Sequence, residues 1–303
     1  MNELYGVDPE IIKSVSDLRS ILNYFGPYTG RYLVNYPVDS PDWMARLNAN
    51  LANLSDLQIA RAKRLLSQAN TDLRMVRKDG LPWRVTRDWL ENAEPLMNAG
   101  ILDGLIAKES RPPAIHDFDD FEISTTSEER IIGCGEEYAR VSEILLFYSQ
   151  EVALVDPYMD PVKSKYESVL ERLLKKAAQR RTKKKFIFWA RASAVFSNGE
   201  TDQLYADLER QLNKLLKKSG LEPGSSIEMN LVEDKGGINT MHGRYLLSRK
   251  GGIRFDQGFQ RLSVGIKTDV SPIGKKTHDE LLEIYFDGSH DMKIIRHICA
   301  NLM

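Results

Sequence analysis

Apolar residues recur at helical spacing through the first third of the chain, then gather into short unbroken runs separated by helices through the second half. That change of period divides the sequence. Asp8-Pro9 opens a run in which Ile11, Ile12, Val15, Leu18, Ile21 and Leu22 keep helical spacing until Gly26-Pro27. Ser40-Pro41-Asp42 predicts the start of a second helix, through Trp43, Leu47 and Leu51. Ser55-Asp56 predicts a third, through Ile59, Ala62, Leu65 and Leu66. A fourth surrounds Asp88 to Ala93, ahead of a short apolar run from Gly100 to Ile106. Residues 1–110 are therefore expected to form a mainly helical domain. Trp43, Trp83 and Trp89 are assigned to its core, because aromatic residues at this spacing fill a core far more often than they line a ligand box.

Between residues 111 and 130 the periodicity fails. Pro112-Pro113 rules out a regular helix, and Asp117, Asp119, Asp120 and Glu122 offer no apolar face to bury. This stretch is expected to be an acidic linker. Its charge has the chemistry to imitate nucleic acid and cover a basic site in cis, but a solvated tether is the commoner meaning of such a run.

From 131 to 303 strands and helices alternate. A helix through Tyr138, Val141, Ile144, Leu145 and Tyr148 leads to the strand Val152 to Val155, followed by a helix from about Lys163 to Gln179. The strand Lys185 to Ala190, a helix from about Thr201 to Ser219 and the strand Ser226 to Glu233 come next. Strands joined by crossover helices imply parallel pairs covered on both faces, so the fold class is α/β. Then follow the strand Arg244 to Ser248, a turn at Gly251-Gly252, the strand Ile253 to Phe255, a segment from His278 to Phe286 and a C-terminal helix from about Ser289. No internal repeat is visible.

Length and composition refine this only slightly. At 303 residues the chain favours two domains, and 42% hydrophobic with 28% charged residues is ordinary for a globular protein. A net charge of -1 excludes a protein that coats nucleic acid by bulk attraction and leaves room only for a local basic patch. The first residues have neither the basic start nor the apolar run of a secretory signal, and no apolar stretch is long enough to span a bilayer, so a cytoplasmic location is expected. Cys134 and Cys299 form no C-x-x-C pair and are expected to be reduced.

The chemistry concentrates in Thr240-Met-His-Gly-Arg-Tyr-Leu-Leu-Ser. Side chains alternate along a strand, so His242 and Arg244 are expected on one face with Gly243 keeping the space between them clear. By residue type, His242 suits a nucleophile, a general base, a metal ligand or a satisfied core histidine. His278, followed by Asp279 and Glu280, supplies a second imidazole, and Asp156-Pro157-Tyr158 follows the first strand of the α/β region. Ligands of open α/β sheets collect beyond the carboxyl ends of strands, where those three residues belong.

His242-x-Arg244 resembles a variant of the phospholipase D signature H-x-K-x4-D. Residues from about 137 to 303 resemble the phospholipase-D-like C-terminal domain of MIT-domain proteins. The resemblance rests on Asp156-Pro157-Tyr158, His242-Gly-Arg244, Gly251-Gly252, Gly258-Phe259, Ser263-Val-Gly265 and Thr277-His278-Asp279 with Glu283-Ile-Tyr285, in that order. It implies a phospholipase-D-like α/β fold that engages phosphodiesters. Arg244 stands where the signature has lysine and Arg249 where it has aspartate, and there is a single motif where active members use two. Arginine remains a bidentate phosphate clamp, so binding survives these replacements more easily than catalysis. If the domain is active, the resemblance implies a metal-independent phosphodiesterase with His242 as nucleophile. The acid is then His278, or the second His242 of a homodimer.

From Arg172 to Lys185 the chain holds eight basic residues and no acidic one. Such a run suits phosphate tracking, though cations at a helix C-terminus commonly just face solvent. Gly274-Lys-Lys-Thr277 fails as a P-loop because position 269 is Asp; Glu233-Asp-Lys235 lacks a nearby partner for nuclease chemistry; Gly133-Cys-Gly135 is too short for a dinucleotide fingerprint. No cofactor or metal is expected.

The reading that follows is a phosphodiester-binding protein, with nucleic acid favoured as ligand and, by analogy alone, a setting in phage defence. Arg244, Arg254, Asp156, Tyr158, Lys183, Lys184 and Lys185 are the expected ligand contacts. An anionic-lipid ligand, or a scaffold whose first domain holds a protein partner, are the competing readings.

Overall fold

A computed structural model of the chain describes residues 1–38, 41–108, 111, 115–118, 128–196, 202–233 and 241–303. Ser40, Pro112, Pro113, Asp119, Asp120, Glu122, Thr201, Asp234, Lys235 and Thr240, invoked above, lie outside the described residues. Two compact units, residues 1–127 and 128–303, divide the chain, and both are α/β.

In the first unit, β1 (Glu3–Val7), α1 (Val15–Asn23), β2 (Arg31–Val34), α2 (Trp43–Asn50), α3 (Asp56–Thr71), β3 (Met75–Val76), α4 (Trp89–Asn98), β4 (Gly104–Ala107) and β5 (Ile115–Asp117) follow in order. The helices start where their capping residues predict: Asp42 caps α2, Ser55 caps α3 and Asp88 caps α4. The first helix starts later than expected. Ser14 and Asp17 close a reciprocal capping box, while Asp8-Pro9 opens only a single 3-10 turn.

The expectation of a mainly helical domain is corrected by a five-stranded sheet of order β3-β2-β1-β4-β5, parallel throughout. Its strands are two to five residues long, and β2 and β4 are buried along their whole length. A strand covered on both faces does not alternate, and a run this short cannot be told from one turn of a buried helix. The linker is corrected at both ends as well. Ile115 to Asp117 pair with β4, and β6 (Glu129–Ile132) belongs to the second sheet.

The second unit continues with α5 (Gly135–Tyr148), β7 (Glu151–Val155), α6 (Ser164–Ala178), β8 (Lys185–Arg191), α7 (Ala192–Val195), α8 (Asp202–Ser219) and β9 (Ser226–Glu233). It ends with β10 (Tyr245–Ser248), β11 (Gly251–Phe255), β12 (Lys267–Pro272), α9 (Lys275–Tyr285) and β13 (Lys293–Asn301). The sheet has eight strands in the order β13-β9-β8-β7-β10-β11-β12-β6. β7, β8 and β9 run parallel and every other neighbour is antiparallel.

Ala153, Val155, Ile187, Trp189, Tyr245 and Leu247 pack with Leu281 and Tyr285 of α9 on one face. The alternate residues face the other way, where Phe255 meets Tyr138 of α5 at 5.4 Å between ring centres.

Two expectations for this unit are corrected. Ser248 pairs with Gly251, so Arg249 and Lys250 make the turn and both glycines lie in β11. Gly252 is required there for packing, since a Cβ would fall 2.8 Å from Leu247 Cδ2 and 2.9 Å from Ile273 Cδ1. The C-terminal segment is the strand β13, not a helix. Ile294, Ile295 and Ile298 imitate helical spacing, but β-branched residues suit the pleated row beside β9. Among the described residues no helix is long and apolar enough to cross a membrane.

Candidate phosphate-binding site

The carboxyl ends of β7 and β8 meet the start of β10 at one edge of the second sheet. The amide of Asp156 donates to Trp189 O at 3.1 Å, extending the ladder one residue past β7. Asp156 is buried, and both carboxylate oxygens are used: Oδ1 accepts from the Tyr158 amide and Oδ2 from the Phe259 amide, each at 2.9 Å. Burial pushes its carboxyl above the usual range, while these amides, Arg244 and Lys165 pull it back. Asp156 thus ties the end of β7 to the 256–260 loop and is not presented to a ligand. Gly258, at φ +71°, makes that approach possible, because a Cβ would lie 2.2 Å from Asp156 Oδ2 and 2.8 Å from Arg244 Cδ.

This loop geometry leaves Tyr158 52% exposed. Two guanidinium groups lie over its ring, that of Arg191 at 5.7 Å and that of Arg244 at 5.4 Å. Both are anchored by main-chain carbonyls: Arg191 Nη2 donates to Met241 O at 2.6 Å and Arg244 Nη1 to Asp256 O at 2.8 Å. Lys165 stands nearby, donating to Gln260 Oε1 at 2.8 Å, and Lys163 pairs with the buried Asp160 at 3.1 Å. The arrangement is an exposed aromatic face with two positioned arginines, suited to an anion carrying a flat group.

His242 is exposed and lies two residues before Arg244, in the segment ahead of β10 rather than in a strand. Pairing with β7 begins at Tyr245, opposite Val155, so the alternation expected of His242 and Arg244 is not imposed on them. The space above Gly243 is needed for an unforeseen reason. The Tyr245 ring folds over it, and a Cβ would lie 1.9 Å from that ring.

Other expected site residues are elsewhere. His278 is a buried core histidine of α9 whose Nε2 is 2.8 Å from Ser248 O, at the far end of β10 from His242. Burial lowers its pKa, and the Ser248 carbonyl opposes that. It is not brought together with His242 and is not the acid partner. Arg254 lies over the Tyr245 ring at 5.7 Å, on the sheet face opposite Phe255, beside a groove that also holds Glu128, Glu129, Asp256 and Asp269. Four carboxylates against Arg130 and Arg254 leave that groove with an excess of negative charge, a poor place for phosphate.

The basic run is largely committed to the fold. Lys184 is buried, and its ammonium donates to Leu146 O, Phe147 O and Ser149 O at 2.8, 3.0 and 2.6 Å. It caps the C-terminus of α5 with all three of its donors. Burial, then Arg180, lowers its pKa to about 8. Lys185 pairs with Glu228 at 2.9 Å, Arg172 with Glu136 at 2.9 Å and Lys176 with Glu143 at 3.2 Å. Lys183 is exposed and lays its stem against Gly224. A groove of about 400 Å³ beside Lys184 and Arg249 lies at the amino end of β7, away from Tyr158, and Arg249 is held there by Asp287 and Glu151. The Tyr158 edge is the stronger candidate, because an exposed aromatic ring there lies under two guanidinium groups that main-chain carbonyls position.

Sequence reasoning passed over Arg191. Its signal was its position directly after the apolar run of β8, the same carboxyl-end rule that singled out Asp156. Among the described residues no group of three or more His, Cys, Asp or Glu side chains is placed to hold a metal ion.

No family model and no curated protein matches the chain. A solved structure reported as that of TrmBL2, an archaeal chromatin protein with a novel mode of DNA binding, is 12% identical over 82% of this chain and 87% of its own, with a TM-score of 0.30. A likeness at that level fixes neither fold nor ligand.

Proposed function

We propose that the second unit is a degenerate phospholipase-D-like domain that binds phosphodiesters at the Tyr158 edge, with nucleic acid as the ligand. The observation that carries this is the exposed Tyr158 ring beneath Arg191 and Arg244. An aromatic face accepts a base by stacking whatever its identity, and a guanidinium grips the neighbouring phosphate. The pieces of the family resemblance that gather here, Asp156-Pro157-Tyr158, Arg244 and Gly258-Phe259, are in direct contact with one another. That supports a common site, whereas Thr277-His278-Asp279 stands apart from it. His278 is committed to Ser248 O, so of the two acids considered, His278 and the His242 of a second copy, the second is the one this geometry leaves for catalysis.

The test is fluorescence anisotropy with labelled single- and double-stranded DNA over a range of salt, using wild type, Tyr158→Ala, Arg191→Ala and Arg244→Ala. Each arginine removed should cost about 1.5–3 kcal/mol of binding. Loss of Tyr158 should weaken single strands by about 1–3 kcal/mol. Affinity unchanged in a folded Arg191→Ala/Arg244→Ala double variant would reject the site. Equal binding to anionic vesicles that displaces DNA would move the reading to lipid. Chelator-resistant cleavage lost in His242→Ala would add catalysis.

A further inference from the structure

β13 is an edge strand of the second sheet and is paired to β9 along its length. His297 and Cys299 are two residues apart on it, so they project from one face, and both are exposed. Directly opposite on β9 stand Asn230, the partner of His297, and Glu228, the partner of Cys299. Cys299 Sγ lies 2.9 Å from His297 Nε2, and His297 Nδ1 lies 2.8 Å from Asn230 Oδ1.

The polarity of these contacts places the proton. An amide oxygen only accepts, so Nδ1 carries the hydrogen and donates it to Asn230; a neutral imidazole then turns a bare lone pair at Nε2 toward the thiol. Nucleophile, base and orienting group stand in line, which is the arrangement that activates a side-chain nucleophile.

We propose that Cys299 is a reactive thiol that exchanges with small disulfides, with His297 accepting its proton and Asn230 acting as a positioning residue that holds the imidazole in the required tautomer. As Sγ attacks one sulfur of the disulfide, a new S–S bond forms and the old one breaks, its electron pair leaving on the departing sulfur. The thiol proton passes to Nε2 and then to the departing thiolate. One disulfide replaces another, so no further oxidant is consumed.

The groups facing Cys299 define its resting state. Burial, then the Glu228 carboxylate, pushes the thiol pKa up, and Lys185 opposes them. The thiol therefore rests protonated, and its reactivity comes from the base at the moment of attack rather than from a standing thiolate.

The experiment uses the full chain carrying Cys134→Ser, so that Cys299 is its sole thiol. Exchange with dithiobis-nitrobenzoate is followed by absorbance between about pH 5 and pH 9, spanning the imidazole range. The expected profile has an inflection below that of an isolated thiol, and His297→Ala should remove it and slow the neutral-pH rate at least about tenfold. Asn230→Ala should shift the inflection, which loss of mere packing would not do. A profile that climbs without inflection like that of an isolated thiol, or a folded His297→Ala that reacts at the wild-type rate, overturns the proposal. The profile is read with His297 in place, so it decides the matter even if the variant fails to fold.

Discussion

Each unit of this protein has parallel strands, all of the first sheet and β7 to β9 of the second, with a carboxyl edge where ligands of such folds collect, and the two edges are finished differently. In the first unit the chain reverses its strand order between β1 and β4, the usual place for a ligand. There the buried Trp43 donates from Nε1 to Val7 O at 2.7 Å, at the end of β1, and α1 caps its own amino end with Ser14 and Asp17. Its polar groups are consumed by the fold. In the second unit the corresponding edge buries a carboxylate and exposes an aromatic ring under two arginines. Both edges satisfy polar atoms internally, and they differ in what is left at the surface: a buried tryptophan closes the first, while an exposed tyrosine ring under two arginines marks the second.

Trp43→Ala attacks the filled edge. Removing a fully buried tryptophan should destabilise the first unit by about 3–5 kcal/mol, measured by denaturant unfolding. DNA affinity should be unchanged; if the variant gained affinity, Trp43 alone would be what separates the two edges. Gly258→Ala attacks the open edge. A Cβ at positive φ, in collision with Asp156 Oδ2, should cost about 2–3 kcal/mol of stability and lower DNA affinity even where the protein stays folded. Wild-type affinity in that variant would show that the Asp156 tether does not shape the site.

Lys184→Met tests whether the other end of the same sheet is structural only. It should lower stability by about 1–3 kcal/mol by leaving α5 carbonyls unpaired, with no change in DNA affinity. The pH dependence has a definite sign. The lysine pKa is lowered from 10.5 to about 8 in the fold, so between those values the unfolded chain holds a proton that the native one has released. Wild-type stability should therefore gain from Lys184 as pH rises through that window, and the gap to Lys184→Met should widen. A constant gap would mean that the ammonium keeps its proton.

The legible parts of the chain were those where length and period agree. β7 and β8 are apolar runs and β9 is a longer, partly alternating one, all separated by amphipathic helices, and β9 was read at its observed ends, Ser226 and Glu233. The sheet of the first unit was hidden because its strands are too short to show a period. Asp156, Tyr158 and Arg244 were singled out in the sequence as ligand contacts, and the structure brings the three together, with Asp156 as an internal tether rather than the contact expected of it. His278 and Lys184 were misassigned because a histidine and a basic run announce chemistry in a sequence without saying whether a carbonyl is already holding them. Cys299 shows the converse. It was set aside as an ordinary reduced thiol, since its neighbours Asn230 and Glu228 are brought to it only by the register of β13 on β9.

The bond from Phe259 N to Asp156 Oδ2 spans 103 positions of the chain. A contact that distant closes a large loop, and its entropic cost is met only once the strands between have paired. The Tyr158 edge is therefore among the last features a folding chain acquires. A polypeptide that has emerged from the ribosome only as far as β10 carries Tyr158, Arg191 and Arg244 but not the clasp that joins the end of β7 to the 256–260 loop, so the proposed recognition would arrive with completion of the sheet and not before.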